Sequence, residues 1–318
     1  MIHAHQLART FWVDRTPVEA VRGIDLDVAP GEVVAFLGPN GAGKSTTLRM
    51  LTTLLAPTGG TAEVAGRDIG ADPVAVRRRI GHVGQGNGSF DGLRVHEELY
   101  TQARFYGISR RSARARSAEL LDQLQLGEQA NRDVARLSGG QRRRLDIAMG
   151  LVHRPQLLFL DEPSAGLDPQ SRSNLWEHIA RMRAEDDTTI FLTTHYLDEA
   201  DSVAERVIVI DDGRIIADGP QDQLKAKVSG DLVTVELVEP ADASAAAGIA
   251  ARLPTAHAVS ADGDVVGFRV AEGDTATPAV VRALDAAGIR LRSTRVQRPT
   301  LDDVFLSLTG RSLRDSEN

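Results

Sequence analysis

Two spacings of apolar residues alternate along the first two thirds of the chain. Val33, Val34, Ala35, Phe36 and Leu37 form a continuous apolar run between Pro30-Gly31 and Gly38, the pattern of a buried strand. Leu48, Leu51 and Leu55 then recur at helical spacing, which predicts a helix starting at Lys44. Leu157, Leu158, Phe159 and Leu160 make a second buried strand that ends in Asp161-Glu162-Pro163. Asp168-Pro169 opens a helix with Asp as cap and Pro in the first turn, and Leu175, Ile179 and Met182 follow on one face. Residues 189–194 are a third strand, which ends at His195, and residues 207–210 and 214–217 form a hairpin around Asp212-Gly213. Near the start, Ile24, Leu26 and Val28 alternate with Asp25 and Asp27, and residues 7–12 are a further candidate, so residues 2–29 read as antiparallel strands. Residues 61–85 read as strand and turn.

The period changes at residue 94. Val95, Leu99, Ala103 and Tyr106 share one helical face, and Leu120, Leu121, Leu124 and Leu126 fit a second helix. A third starts at Ser138, a good N-cap, with Leu145, Ala148 and Val152 on its apolar face. These helices interrupt an otherwise alternating α/β pattern. Phe90, Tyr100, Phe105 and Tyr106 cluster in the early part, as a small local core or as a docking groove for another protein's helix. Arg104, Arg110, Arg111, Arg114 and Arg116 read as a solvated face. Beyond Asp218-Gly219-Pro220 the pattern over residues 231–296 is β-α-β-β-α-β, which predicts a ferredoxin-like domain of two helices on a four-stranded antiparallel sheet. Thr300 caps a last helix, and residues 311–318 read as disordered.

Candidate chemistry starts where the first strand meets its helix. Gly38-Pro39-Asn40-Gly41-Ala42-Gly43-Lys44-Ser45 satisfies G-x-x-x-x-G-K-[ST], and it stands between strand and helix, the context that gives the pattern meaning. The glycines turn backbone N–H groups toward phosphate oxygens, and the helix N-terminus, at Lys44, Ser45 and Thr46, adds about half a positive charge. Lys44 can reach the outer phosphates of a nucleotide, and Ser45 can hold Mg²⁺. Asp161, ending a buried strand, is suited to anchoring the hydrated Mg²⁺, and Glu162 to polarising water for attack on the terminal phosphate. Leu137-Ser138-Gly139-Gly140-Gln141 is a second anion-binding helix start, with a hydroxyl beside two glycine N–H groups.

With these motifs in order, the chain resembles an ATP-binding cassette (ABC) ATPase over residues 1–220. The resemblance implies a RecA-like P-loop NTPase core with an N-terminal antiparallel β subdomain and a helical insertion at about 86–154. It implies that Ser138, Gly139, Gly140 and Gln141 form the signature motif, which closes over ATP held by the phosphate loop of a second chain. The expected partner is therefore a second copy, head to tail, with two ATP molecules sandwiched between. Gln85 matches the glutamine that approaches Mg²⁺ and the attacking water, and His195 matches the switch histidine at the terminal phosphate. Residues 164–168 match the loop that crosses the cassette interface. Phe11 falls where the family stacks adenine on an aromatic ring; Trp12 is the neighbouring alternative, and both also suit plain sheet packing. The family often has proline before the glutamine; Gly84 stands here, with Gly86, Gly88 and Gly92 after it, which implies a more flexible loop. Residues 141–148 and 298–306 resemble a narrower group, the daunorubicin-resistance type of exporter ATPase. That implies a linker at 221–230, a C-terminal accessory or dimerisation domain at 231–310, and a separate transmembrane permease subunit.

Bulk composition narrows the remaining choices. The 318 residues are 42% hydrophobic and 25% charged, ordinary for a globular protein of two domains. A net charge of −7 disfavours a nucleic-acid partner, and the absence of cysteine excludes disulfides and thiolate metal sites. No apolar run approaches the ~20 residues of a membrane span, and the first residues lack a basic, then apolar, signal pattern. The expected location is the cytoplasmic side of the cell membrane, held there by the permease. An importer ATPase and a soluble ABC ATPase acting on DNA or ribosomes are the alternatives; an all-β C-terminal domain would favour the importer.

Overall fold

The computed structural model describes residues 1–186, 188–227 and 230–310 and divides into two compact units, the first Met1–Pro220 and the second starting at Gln221. The terminus expected to be disordered, 311–318, lies outside the described residues, as does the side chain of Met182.

The first unit opens with an antiparallel sheet made by β1 (Ile2–Val13), β2 (Thr16–Val28), β4 (Gly59–Val64) and β5 (Arg67–Asp68), in the order β2-β1-β4-β5. β1 starts earlier than residue 7, the expected start. Its pairing with β2 shifts register between Ala4 and Leu7, where Gln6 takes φ +49°. That bulge moves the inward set from Ile2 and Ala4 to Leu7, so strict alternation is broken and the strand is hidden from a period-two reading.

The second sheet is built from β3 (Val33–Leu37), β6 (Ile80–Val83), β7 (Leu157–Asp161), β8 (Thr189–Thr194), β9 (Arg206–Asp211) and β10 (Arg214–Pro220). Its order is β10-β9-β3-β8-β7-β6, parallel throughout except for the β9–β10 hairpin. Every residue of β3, β7 and β8 is buried, as expected for parallel strands covered on both faces. Phe191 packs between Phe36 and Phe159, with ring centroids 5.5 and 5.7 Å away.

Around the sheets stand α1 (Lys44–Leu51), α2 (Pro73–Arg79), α3 (Val95–Phe105), α4 (Arg110–Gln123), α5 (Gly139–Leu151), α6 (Pro169–Asp186) and α7 (Leu197–Val203). α2 replaces part of the expected strand-and-turn region. Asp72 caps it by accepting the Ala75 N–H at 3.1 Å, and Pro73 opens it. Only Val76 in it is buried, so it carries no helical periodicity. In the helical segment, Val95, Leu99, Ala103, Leu120, Leu121, Leu124 and Leu126 are buried as expected. The four aromatics do not form a core: Phe105 is 81% and Phe90 65% exposed. Arg116 departs from the solvated face; it is buried, donates to the Leu151 carbonyl oxygen at 3.1 Å and pairs with Glu119 at 2.8 Å.

The second unit comprises α8 (Gln221–Lys227), β11 (Asp231–Leu237), α9 (Ala243–Ala250), β12 (His257–Asp262), β13 (Val265–Val270), α10 (Gly273–Ala286), β14 (Leu291–Gln297) and α11 (Leu301–Thr309). Its sheet, β12-β13-β11-β14, is antiparallel, the ferredoxin-like order. Val233, Val235, Leu237, Phe268, Val280 and Leu284 fill its core. The expected linker at 221–230 is helical through Lys227: Leu224 is buried and α8 lies against α11. Thr300 caps α11 by accepting the Asp303 N–H at 3.3 Å.

α5 can reach the sheet because of one glycine contact. A Cβ on Gly81 of β6 would stand 2.3 Å from the Gly150 carbonyl oxygen of α5 and 2.8 Å from Leu158 Cδ1. Gly81→Ala is therefore expected to cost about 1–3 kcal/mol, the range of overpacked cores. Urea unfolding followed by the fluorescence of Trp176, the buried tryptophan, measures it; an unchanged midpoint would contradict this close approach.

Candidate active site

Four neighbouring parallel strands end at one edge of the sheet, and each delivers a part of the site. β3 leads into the phosphate loop, β8 into His195, β7 into Asp161-Glu162, and β6 toward Gln85. In an alternating α/β chain the carboxyl ends of parallel strands open on a common edge, where ligands bind.

The phosphate loop turns into α1 through Gly43, whose φ of +106° and 2.5 Å approach of a would-be Cβ to the Ala20 carbonyl oxygen require glycine. Gly38, Pro39 and Ala42 are buried while Asn40 and Gly41 face outward. The first N–H groups of α1, at Lys44, Ser45 and Thr46, lie in the helix turn that has no internal acceptors. Lys44 is buried and donates from Nζ to the carbonyl oxygens of Gly38 (2.7 Å) and Pro39 (3.0 Å). Its Nζ also stands 3.6 Å from Glu162 Oε1. Ser45 Oγ donates to Asp161 Oδ1 at 3.1 Å, and Gln85 Nε2 approaches Ser45 Oγ at 3.5 Å. Lys44, Ser45, Gln85, Asp161, Glu162 and His195 are thus brought together.

Glu162 takes φ +44°, costly for a non-glycine residue. Its N–H is held by the Thr193 carbonyl and hydroxyl oxygens, both at 3.1 Å, and the turn aims its carboxylate at Lys44 and at His195 Nδ1, 3.2 Å away. The contact with His195 is the largest influence on this carboxyl. With the charges of His195 and Lys44 it holds the group below the usual glutamate range, against the upward push of burial.

The signature segment stands elsewhere on the molecule. Ser138 caps α5 reciprocally: its Oγ accepts the Gln141 N–H at 3.3 Å, and its N–H donates to Gln141 Oε1 at 3.0 Å. Ser138 and Gly139 are exposed, and α5 packs on the edge strand β6, three strands or about 14 Å across the sheet from β3. Phe11, on β1 opposite Val18, is half-buried with the Arg9 guanidinium 4.7 Å from its ring centroid, whereas Trp12 is 73% exposed.

Known proteins resemble this chain in sequence and in fold. The family described as "ABC transporter" matches residues 21–165, and the one described as "ATP-binding protein DrrA1-3-like, C-terminal domain" matches residues 219–309. The daunorubicin resistance ATP-binding protein DrrA3 of Streptomyces coeruleorubidus is 44% identical over 300 residues, 94% of each chain. The linearmycin resistance ATP-binding protein LnrL of Bacillus subtilis (strain 168) is 35% identical over 93% of this chain and 95% of its own. A dimeric bacterial ABC transporter cassette, 27% identical with a TM-score of 0.64, covers 69% of this chain and 98% of that one. The chain belongs to the ABC transporter family. It is an ATP-binding subunit with ATPase activity coupled to transport.

Two residues that motif reading passed over hold the site of this ABC ATPase together. Thr193 donates to Asp161 Oδ1 at 2.6 Å while also receiving the Glu162 N–H. Arg143 is buried and donates to the carbonyl oxygens of Gly84 (2.6 Å), Pro163 (2.7 Å) and Asp161 (3.1 Å), so one guanidinium joins α5 to the ends of β6 and β7. Neither has a sequence signal beyond its place in a motif-bearing run. The glycine-rich loop after Gly84 is also anchored. Asp146 accepts the Ser89 N–H at 2.9 Å, Arg142 donates to the Ser89 carbonyl oxygen at 2.7 Å, and Glu98 accepts the Phe90 N–H at 3.0 Å.

Removing His195 removes the largest influence that lowers Glu162, while burial still raises it. In His195→Ala the Glu162 carboxyl is therefore expected to titrate at higher pH than in the unaltered chain, where it is held below the usual glutamate range. Carbon-13 NMR of the side-chain carboxyl, assigned by its loss in Glu162→Gln, follows both; an unmoved or lowered midpoint would contradict the assignment.

Proposed function

We propose that this chain is the ATP-hydrolysing subunit of an ABC exporter, energising efflux of a drug or other hydrophobic compound through a separate transmembrane permease at the cytoplasmic face of the membrane. One observation carries the hydrolytic reading: Lys44, Ser45, Gln85, Asp161, Glu162 and His195 converge at the ends of four adjacent strands. The residues fit ATP with Mg²⁺. Among the described residues there is no group of three acidic or histidine ligands that would cage a metal. Ser45 and Asp161 instead present a few hard oxygens, with the Gln85 amide beside them, as suits an ion that keeps waters and shares substrate phosphates. Bound there, Mg²⁺ would supply neutralisation of charge on the transferring phosphoryl group.

The rest of the chemistry belongs to the chain. Phosphate oxygens take over the donors of Lys44 now spent on Gly38 and Pro39, and the loop and α1 N–H groups hold the phosphates. Glu162, kept ionised by its neighbours, accepts a proton from the attacking water. His195, tied to Glu162, faces the terminal phosphate. Phe11 stacks on adenine. Ser138, Gly139, Gly140 and Gln141 complete the ATP site of a second copy, head to tail. Support for this comes from the exposure of Ser138 and Gly139 and from the dimeric cassette structures that resemble this chain. Exposed Phe90, Phe105 and Tyr106 are the surface offered to the permease, since large aromatics are enriched at interfaces. Among the described residues no helix is long and apolar enough to cross a membrane. The second unit, proposed to assist dimerisation, is α+β and not all-β, which favours export over import.

Glu162→Gln is expected to bind ATP within twofold of the unaltered chain but to hydrolyse it about 10²-fold or more slowly, because only the base is lost. Binding titration and phosphate release measure the two separately, and unaltered turnover would remove Glu162 from the role of base. Ser138→Arg is expected to abolish hydrolysis while the isolated chain still binds ATP. Loss of that binding would argue against completion of the site by a second copy.

A further inference from the structure

We propose that Glu199 is a positioning residue that couples the loop 164–168 to His195, so that both move together around Glu162. The inference rests on the reading of Glu162 and His195 as the hydrolytic pair. Glu199 lies on α7, four residues after His195, and is 2% exposed. Its Oε1 accepts the hydroxyl of Ser164, and its Oε2 accepts that of Thr194 at 2.9 Å. Thr194 Oγ1 in turn accepts the Tyr196 N–H at 2.9 Å, so the residues on either side of His195 are both tied to this carboxylate. Arg172 Nε lies 3.5 Å from Glu199 Oε1, and its guanidinium lies 4.5 Å from the centre of the Tyr196 ring, which in turn packs 4.0 Å from the His195 ring.

These contacts close a ring. Ser164 stands two residues after Glu162, and His195 Nδ1 lies 3.2 Å from Glu162 Oε1. Two short chain segments, 162–164 and 194–199, are therefore linked at one end by the hydrolytic pair and at the other by Glu199. A buried carboxylate is costly, and burial pushes this one upward in pKa even with two hydroxyls and Arg172 beside it. An apolar residue would fill the position on α7 without that cost but could not grip two hydroxyls at once. Because both bonds end on one carboxylate, a shift of the loop 164–168 either breaks the Ser164 contact or carries Thr194 and His195 with it. Misplacement of a reacting group by about 1 Å can cost about 10²-fold in rate, so this tie sets the rate without touching the nucleotide.

The test uses the full chain. Glu199→Gln preserves shape but can no longer accept both hydroxyls. It is expected to lower kcat for ATP about tenfold while KM, and the affinity for a non-hydrolysable ATP analogue, stay within twofold. Ser164→Ala is expected to do the same, and the double variant to be no slower than Glu199→Gln alone, since both cut one link. Thr194→Val cuts the other arm and should reproduce the split of kcat from KM even if Glu199→Gln misfolds. A kcat within twofold of the unaltered chain in these variants, or losses that multiply in the double variant, would overturn the coupling. An unaltered chain that binds ATP without hydrolysing it would instead remove the reading of Glu162 and His195.

Discussion

The site is organised around a buried ammonium. Lys44 is 4% exposed, and a charge so placed survives only if its donors are satisfied. The carbonyl oxygens of Gly38 and Pro39 and the carboxylate of Glu162 meet that demand. The loop must therefore fold back over the head of its own helix, and the end of β7 must stand within reach of it. Under the proposed function, the interactions that hold the loop folded are the ones a bound phosphate would exchange.

The same rule explains two further buried charges. Arg143 spends its guanidinium on three backbone carbonyls, which joins α5, the turn before Gln85 and the end of β7 into one block. Glu199 spends its carboxylate on two hydroxyls, one from the turn after β7 and one from the end of β8. Side chains that must find partners at fixed distances make stiff connectors, because any relative movement strands a charge in a low-dielectric interior. The connections therefore run between the carboxyl ends of β6, β7 and β8.

Several features were legible because they are local. The phosphate-loop pattern between a strand and a helix, the Ser138 and Thr300 caps, and the Asp161-Glu162 pair each depend on residues within a few positions of one another. Features that escaped notice lack such a local signal. The bulge at Gln6 breaks the alternation on which strand reading relies. α2 has a clear Asp72-Pro73 start but one buried residue, and so no period. The aromatics of the helical segment look like core by composition, yet Phe90 and Phe105 face outward, because inside and outside are decided by what else packs there.

By itself, the sequence determined the alternating α/β pattern, the ferredoxin-like second unit and the residue types of the site, since periodicity and short motifs are properties of neighbours in the chain. Only the tertiary structure decided that β8 runs between β3 and β7, and that His195 therefore meets Glu162. It alone revealed the work of Arg143, Thr193 and Glu199, whose partners stand 5 to 59 positions away. Strand order and the pairing of buried charges follow from burial of the whole sheet, a property no segment carries alone.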